Sequence, residues 1–308
     1  MPDFIFIGSF KCASSSVHYY LGQHPQIFTS TKKETGFFSL HYGEGMDFYE
    51  QFFKGATNGQ VLGETTPTYC FLPYVTERIK KHYPDAKLIL CLRDPVERAF
   101  SSWLMATGLG RERLSFDEVM EKSKRMLATM KKALAGKEAE KFWIENNPNA
   151  KFAPLEITSI IAGQYAEMLK LYYRYFNPEQ IKTILFEDLK TNLDATLSDI
   201  FNFLGVDAGF IVPNKESVNF YFDRTANEIV YKIFGLRTGR MIIDAIPKSI
   251  KLKLKKSWKK PPPKLSMEQR LRYWELFKDD VAELEKMINK NLSHWNPSAK
   301  KHVMEEVR

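Results

Sequence analysis

The sequence predicts an α/β fold in which helices flank a central parallel β-sheet. Short apolar runs rich in strand-forming residues alternate with helix-like segments past residue 200. Strands that alternate with helices form parallel sheets joined by right-handed crossovers. With 308 residues, 44% of them hydrophobic, the chain is long enough to bury one large core. We therefore expect a single domain over residues 1–308.

The first hundred residues supply three predicted strands and two predicted helices. Each strand is a short apolar run, and each helix shows helical spacing of its apolar residues. The strands are predicted at Phe4–Ile7, at Val61 and Leu62, and at Lys87–Leu92. The helices are predicted at Ser15–His24 and Tyr74–His82.

The rest of the chain continues the alternation and adds two helical parts. The charged stretch Phe116–Phe142 has Met, Leu and Ala at helical spacing and predicts a helical insertion over the sheet edge. Ser266, with Gln269 three residues later, forms a capping-box pattern that begins a C-terminal helix running to about Asn291. Between these parts we predict a helix at Gly163–Phe176, a strand at Ile181–Phe186 and a helix that ends at Gly205.

Composition limits the classes of partner and compartment. The formal net charge of +8 favours an anionic partner, which includes nucleic acid, an anionic membrane and a phosphate-rich small molecule. The three cysteines, Cys12, Cys70 and Cys91, lie far apart in or beside apolar runs, as is typical of buried thiols in a reducing compartment. No apolar run has the length of a membrane span, and no signal-like segment begins the chain. We therefore expect a cytoplasmic protein.

The loop between the first strand and the first helix has the composition of an anion site. Backbone N–H groups of such a loop converge on an anion, hydroxyl groups add donors and a lysine adds charge. The candidate residues are Lys11, Cys12, Ala13, Ser14, Ser15 and Ser16. The hydroxyl that holds magnesium after a Gly-Lys pair is missing, which disfavours a nucleoside triphosphatase. The alternative is a tight turn capped by serine, with Lys11 in solvent.

A second candidate anion ligand follows the strand that ends at Leu92. Arg93 lies at the carboxyl end of a predicted parallel strand, where α/β sheets bind ligands, and its planar guanidinium matches a phosphate. Ser101, eight residues later on the next helix, is placed to donate to the same phosphate. The alternative is that Arg93 and Asp94 pair with each other or cap that helix. The two loops together favour a site for a phosphorylated ligand.

At these residues the sequence resembles the sulfotransferases that use 3'-phosphoadenosine 5'-phosphosulfate (PAPS), in particular the branch with the heparan sulfate and many bacterial enzymes. Lys11–Ser15 is similar to their K-x-G-T-T loop, with Ala13 in place of glycine, so that Ala13 needs either a negative φ or a strained backbone. Leu92–Ser101 is similar to their L-R-D-P-V-E-R-A-Y-S motif, with Phe100 for tyrosine. The resemblance implies a P-loop NTPase-like sheet.

Two further segments carry the resemblance on the acceptor side. Lys33–Phe38 is similar to K-E-P-H-F-F but lacks the Pro-His pair. Gly63–Tyr69 is similar to G-E-K-[ST]-P-x-Y, with Thr65 at the position of a lysine that assists catalysis in some members. Glu187 and Asp188, in a later landmark, are interpreted as a structural helix cap. Arg224 is a weak candidate for the family's nucleotide-covering loop, which is missing here.

The resemblance implies a reaction and a role for each candidate. Lys11 to Ser16 would hold the 5'-phosphosulfate of PAPS, and Arg93 and Ser101 would hold its 3'-phosphate. Lys11 would stabilise the leaving oxygen, while Glu34 would act as base toward a hydroxyl or amine of a small-molecule or carbohydrate acceptor. The product would be adenosine 3',5'-bisphosphate, and no metal is required.

Three alternatives stay open on the sequence. A kinase or ATPase of the same fold would need magnesium and ATP. A noncatalytic polyanion-binding protein would use the basic segment Lys248–Lys264, which we interpret as a solvated linker in preference to a peripheral membrane contact; we expect no nucleic acid partner. His18, on the helix after the loop, is typical of a packing or capping histidine, and its use as a base is the minor hypothesis.

Overall fold

Five parallel strands form the central sheet. The computed structural model describes residues 2–146, 154–216 and 263–299. The strands are β1 (Phe4–Gly8), β2 (Ile27–Thr29), β3 (Val61–Thr65), β4 (Lys87–Leu92) and β5 (Ile181–Leu185). Their order across the sheet is β2-β3-β1-β4-β5, and every neighbouring pair is parallel. The predicted α/β fold with a P-loop NTPase-like parallel sheet is confirmed.

Both faces of the sheet are covered, because β1 and most of β4 carry apolar side chains on both faces. Ile5 and Ile7 of β1 belong to the larger core layer, whereas Phe4 and Phe6 belong to a smaller layer on the opposite face. Cys91 of β4 lies in the smaller layer. All three cysteines are buried free thiols, as predicted.

Thirteen helices surround the sheet in the described parts of the chain. They are α1 (Ser14–Leu21), α2 (Phe37–Leu40), α3 (Met46–Glu50), α4 (Pro73–His82), α5 (Pro95–Gly108), α6 (Phe116–Ala135), α7 (Ala139–Asn146), α8 (Leu155–Ile161), α9 (Tyr165–Tyr173), α10 (Phe186–Thr191), α11 (Leu193–Leu204), α12 (Met267–Trp274) and α13 (Lys278–Ile288). The insertion is helical, as predicted, with α6 and α7 separated at Gly136. None of the described helices is both long and apolar enough to cross a membrane.

Two sequence predictions need correction. The strand β2 was not predicted, because three residues are too few to show a period. The expected single C-terminal helix is two helices, α12 and α13. The fully buried Phe277 lies at the break and its ring sits on Gly163, where an added Cβ would come within 2.8 Å of it. The predicted capping box at Ser266 and Gln269 is present at the start of α12.

Gly63 of β3 leaves room for the side chain of its partner on β1, Phe4. An added Cβ on Gly63 would lie 1.9 Å from the ring of Phe4, so no larger residue fits between these paired strands. β3 extends to Thr65, beyond the predicted Val61 and Leu62. Glu64 and Thr65 therefore reach the carboxyl edge of the sheet beside the loop that follows β1.

Candidate functional site

The loop after β1 holds two non-glycine residues in the left-handed region. Lys11 has a φ of 66° and Ala13 a φ of 60°. The sequence left a negative φ or strain open for Ala13, and the structure has the strained form, which costs roughly 1–2 kcal/mol for an L-residue. The buried neighbours hold this shape, since Cys12 is buried in the smaller core layer and the Ser9 hydroxyl donates to Ala162 O at 3.1 Å. Strain held in this way is typical of ligand-binding loops.

The helix that follows, α1, begins without a side-chain cap. Its N-cap residue is Ala13, which makes no side-chain capping hydrogen bond, so the serine-capped turn considered as the alternative is wrong. The first backbone N–H to bond back to the cap is that of Val17, to Ala13 O at 2.9 Å. First-turn amides of a helix have no intrahelical partner, and the helix dipole makes this end electropositive. Ser14, Ser15 and Ser16 of this first turn therefore suit an anion.

Lys11 lies in the loop with its ammonium partly buried. Its Nζ is 3.4 Å from Met105 Sδ on α5. Burial, and next the positive charge of Arg93, lower the pKa of Lys11 to about 8. Lys11 is not the solvated side chain of the alternative interpretation. A desolvated cation beside a second cation attracts an anion more strongly than either would in water.

Arg93 joins the end of β4 to this loop. Its Nη1 donates to Lys11 O and its Nη2 to Glu97 Oε2, each at 3.4 Å, while the guanidinium lies 4.5 Å from the centroid of the Phe186 ring. Asp94 has the other role foreseen, because its carboxylate caps α5 by accepting from Val96 N at 3.0 Å. Arg93 thus lies beside Lys11 as the strand order predicts.

Ser101 lies on α5, half-buried, two turns beyond the start of that helix.

Tyr165, at the start of α9, donates from its hydroxyl to Arg93 O at 2.9 Å and lies 3.9 Å from Cys12 Sγ. The residue therefore links the loop after β1 to the end of β4.

A second arginine of the same motif is buried beneath the loop, and the sequence analysis missed it. Arg98 is fully buried, and its Nη2 donates to Thr158 O and Ser159 O at the C-terminal end of α8. Its Nε and Nη1 have no hydrogen-bond partner within the described residues. The guanidinium lies 5.1 Å from the centroid of the Phe10 ring. Arg98 therefore adds positive charge under the loop; its spacing of five residues from Arg93 was the available signal.

The acceptor-side candidates follow β2. The carboxylate of Glu34 pairs with the ammonium of Lys33, and 45% of the Glu34 side chain is exposed. Glu34 itself has a φ of 60°. Lys33 lowers and Glu34 raises the pKa of Lys11, after the larger effects of burial, Arg93 and Cys12, so this loop lies within electrostatic reach of the loop after β1. The structure brings Lys11, Arg93 and Glu34 to the same edge of the sheet.

His18 contacts the residue that stands at the family's lysine position. His18 Nδ1 and Thr65 Oγ1 are 3.1 Å apart. Burial, and next the positive charge of Lys33, lower the pKa of His18 to about 4. The imidazole is therefore neutral at physiological pH. At the position where relatives in the family have a lysine, this protein has an uncharged pair, Thr65 and His18.

The sequence also predicted a helix cap at Glu187 and Asp188 and, for the nucleotide-covering loop, a weak candidate in Arg224. Glu187 and Asp188 do not cap α10, whose N-cap is Leu185 without a side-chain hydrogen bond; both lie in the first turn. Arg224 lies outside the described residues, and so does the segment Lys248–Lys264 except for its last two residues.

Several known proteins are similar to this chain in sequence. The sequence matches the family described as Sulfotransferase domain over residues 2–287. Relatives include the membrane-associated sulfotransferase kil1 of Dictyostelium discoideum, 27% identical over 67% of this chain and 56% of that protein. Another is the human heparan sulfate glucosamine 3-O-sulfotransferase 3B1, 26% identical over 73% of this chain and 50% of that protein. The chain thus spans about half the length of these relatives.

A solved structure extends the match to the fold of nearly the whole chain. A sulfotransferase from Alicyclobacillus acidocaldarius superimposes with a TM-score of 0.67 at 28% identity, over 96% of this chain and 98% of that one. The family match covers far more than half of the sequence, and the solved structure has the same arrangement of sheet and helices. The chain belongs to the sulfotransferase family.

Proposed function

We propose that the chain transfers a sulfuryl group from PAPS to a hydroxyl or amine of a small-molecule or carbohydrate acceptor. The observation that carries the proposal is the meeting of two cationic loops at one edge of the sheet, where Arg93 Nη1 lies 3.4 Å from Lys11 O. The uncapped first turn of α1 opens beside them. A ligand with phosphate groups on both the 3' and the 5' position of its ribose suits two separate cationic positions.

The candidate residues form two groups, one for the 5'-phosphosulfate and one for the 3'-phosphate of the nucleotide. Residues 11–16, with the amides of the first turn of α1, suit the 5'-phosphosulfate, because amides and a lysine converge there. Arg93 and Ser101 suit the 3'-phosphate, since a guanidinium fork and a hydroxyl donate to separate phosphate oxygens. Arg98, below the loop, adds a positive charge without contacting solvent.

The proposed transfer is an in-line displacement at sulfur. The acceptor oxygen or nitrogen forms a bond to sulfur as the bond from sulfur to the 5'-phosphate oxygen breaks. The acceptor proton goes to the carboxylate of Glu34, and the negative charge that develops on the departing phosphate oxygen faces Lys11. Positioning and electrostatics supply most of the rate in such transfers, as in phosphoryl transfer.

A carbohydrate acceptor is the class that the relatives support most directly. Several relatives have heparan sulfate in their names. A panel of acceptors incubated with PAPS, with heparan sulfate oligosaccharides, simple amines and phenols among them, would identify the acceptor by the mass added to it. Mass gain by no glycan, with gain by a phenol, would replace the carbohydrate class by a small-molecule one.

Adenosine 3',5'-bisphosphate is expected to raise the melting temperature of the protein by several degrees, and ATP with magnesium is expected to raise it much less. A ligand that binds only the folded state stabilises it in proportion to the logarithm of its concentration over its Kd. Differential scanning fluorimetry at matched ligand concentrations measures both shifts. Arg93→Gln should abolish the shift, while Arg272→Gln, at an exposed ion pair with Glu268, should keep it. Equal shifts with the two nucleotides would favour a kinase.

Affinity for adenosine 3',5'-bisphosphate is expected to fall as the pH rises through about 8. The pKa of Lys11 is lowered to about 8 in the free protein, and an anion favours its protonated form, so binding takes up a proton above that pH and weakens. Titration calorimetry between about pH 7.5 and 9.5 avoids the phosphate group, whose second pKa is about 6. Lys11→Arg should flatten the profile, because the guanidinium stays charged. If the affinity of the wild-type protein did not change across this range, Lys11 would not contact the bound anion.

A further inference from the structure

The loop that carries Glu34 is tied residue by residue to the end of β3. The backbone N–H of Glu34 donates to Thr65 O at 2.9 Å. The hydroxyl of Thr35 donates to Glu64 Oε2 at 2.6 Å. The N–H of Gly36 donates to Thr66 Oγ1 at 3.4 Å. Three consecutive residues of the loop are thus held by three consecutive residues at the carboxyl end of one strand.

Glu64 is the centre of these ties. It is fully buried, and its Oε2 accepts hydrogen bonds from two hydroxyls, those of Thr35 and Thr66, at 2.6 and 3.0 Å. Its other oxygen, Oε1, has no hydrogen-bond partner within the described residues, and the same holds for the buried hydroxyl of Tyr49. Burial raises the pKa of Glu64, and burial together with the charge of Glu64 raises that of Tyr49. The two side chains are therefore neighbours in the core.

The position of the proton on Glu64 follows from these contacts. Because Oε2 already accepts from two donors, a proton on the acid belongs on Oε1, the oxygen without a donor. A neutral acid in this place accepts on one oxygen and donates from the other. Glutamine has the same pattern, with a carbonyl oxygen and an NH₂ group.

The loop needs an external restraint. Glu34 has a φ of 60° and Gly36 a φ of 64°, and only glycine adopts this region without cost. Among the described residues, the Glu34 carboxylate forms its ion pair with the neighbouring Lys33, and the Glu34 side chain is almost half exposed. Free of the ties to β3, the turn would relax toward ordinary backbone angles and the carboxylate would turn away from Lys11.

We infer that Glu64 is a positioning residue, which acts through the hydroxyls of Thr35 and Thr66 to hold the left-handed turn that presents the Glu34 carboxylate to the acceptor. The inference rests on the proposed function, in which Glu34 is the base. Glu64 itself is fully buried and does not reach the acceptor. Its role is therefore to position the base and not to act as one.

Thr35→Val tests the inference, because it removes one hydroxyl and keeps the shape of the side chain. We expect faster hydrogen exchange of the backbone amides of residues 34–36 and an unchanged Kd for adenosine 3',5'-bisphosphate. The turnover should fall, by up to about tenfold. Misplacement of a reacting group by about 1 Å costs about a hundredfold, so a partial release fits a smaller loss. Glu64→Gln should keep both the slow exchange and most of the turnover, whereas Glu64→Leu should lose both.

The matched control is Thr196→Val. Thr196 is also buried, but its hydroxyl donates to Asn192 O at 2.8 Å on α11, away from the loop. It should leave the exchange of residues 34–36 and the turnover unchanged. Hydrogen exchange is read by mass spectrometry of the whole protein after pepsin digestion, which needs no acceptor. Turnover is read as release of adenosine 3',5'-bisphosphate from PAPS, with and without heparan sulfate oligosaccharides.

The outcomes separate this inference from the proposed function. Unchanged exchange in Thr35→Val, or faster exchange with wild-type turnover, would overturn the positioning role. Failure of Glu34→Gln to lower turnover would overturn the base and the inference that rests on it, while leaving the ties between the loop and β3 measurable by exchange. Failure of PAPS to be consumed by the wild-type protein would overturn the donor and spare the exchange result.

Discussion

Glu34→Gln is expected to lower turnover by about a hundredfold to ten-thousandfold and to leave the affinity for adenosine 3',5'-bisphosphate unchanged, as the loss of a general base does. Glutamine keeps the shape and the backbone hydrogen bond to Thr65 O but has no basic oxygen. A glutamate that only paired with Lys33 at the surface would contribute less than about 1 kcal/mol to stability and nothing to the chemistry. The size of the kinetic effect therefore separates the two roles.

Single-turnover consumption of PAPS at saturating nucleotide measures the effect on the chemical step. Glu44→Gln is the control, because Glu44 is likewise half-exposed and pairs with a nearby side chain, His41 Nδ1, at 2.7 Å. A Glu34→Gln rate within about threefold of wild type, against the range for a lost base, would remove Glu34 from the mechanism. His18 would then become the candidate base, because its imidazole is neutral and can accept a proton. It contacts Thr65 at the same side of the site.

The strands and the two cationic loops could be predicted because their signals are local. β1 and β4 are continuous apolar runs, and such runs predict buried parallel strands. Lys11 and Arg93 each follow one of these strands, so the pairing of β1 with β4 brings them to one edge of the sheet. Nothing beyond order along the chain and the rule for parallel sheets is needed for that proximity.

The rest of the site depends on contacts that span long separations in sequence. The tie between Thr35 and Glu64 requires β2 and β3 to be neighbours, and β2 is too short to be seen in the sequence. The positive φ of Ala13 depends on the burial of Cys12 on one side of the turn. In the sequence, Arg98 has the context of a surface arginine on a helix. Its burial depends on α8, whose Thr158 and Ser159 carbonyl oxygens accept hydrogen bonds from its guanidinium. For Arg98 the sequence offers only a spacing of five residues from Arg93, and it does not determine the other two features.

The electrostatics of the site follow from that burial. Among the described residues, Arg93 is paired with Glu97, and Glu97 is shared with Arg270, so the negative charge near the site is divided between two arginines. Lys11 contacts a thioether, which is a weak acceptor and no counter-ion. The site therefore has an excess of desolvated positive charge, and a polyanionic nucleotide offsets it.

Lys11→Met is expected to lower turnover by about a hundredfold to a thousandfold, the usual loss when one group that stabilises developing charge is removed. The leaving phosphate oxygen would face an apolar side chain instead of an ammonium. The methionine has a similar length and packs on Met105, so the fold is retained.

The melting temperature of the free protein is expected to stay the same or to rise in Lys11→Met. The lowered pKa of Lys11 means that burial disfavours its charged form in the folded state, so the charge costs stability at neutral pH, and the methionine removes that cost. A variant that loses activity while it gains stability marks a residue kept for function. Lys182→Met, on β5 at an ion pair with Asp199, is the control that should leave turnover unchanged. Scanning fluorimetry and single-turnover kinetics on the same samples test both parts, and a Lys11→Met protein with wild-type turnover would assign the leaving oxygen to the amides of α1 alone.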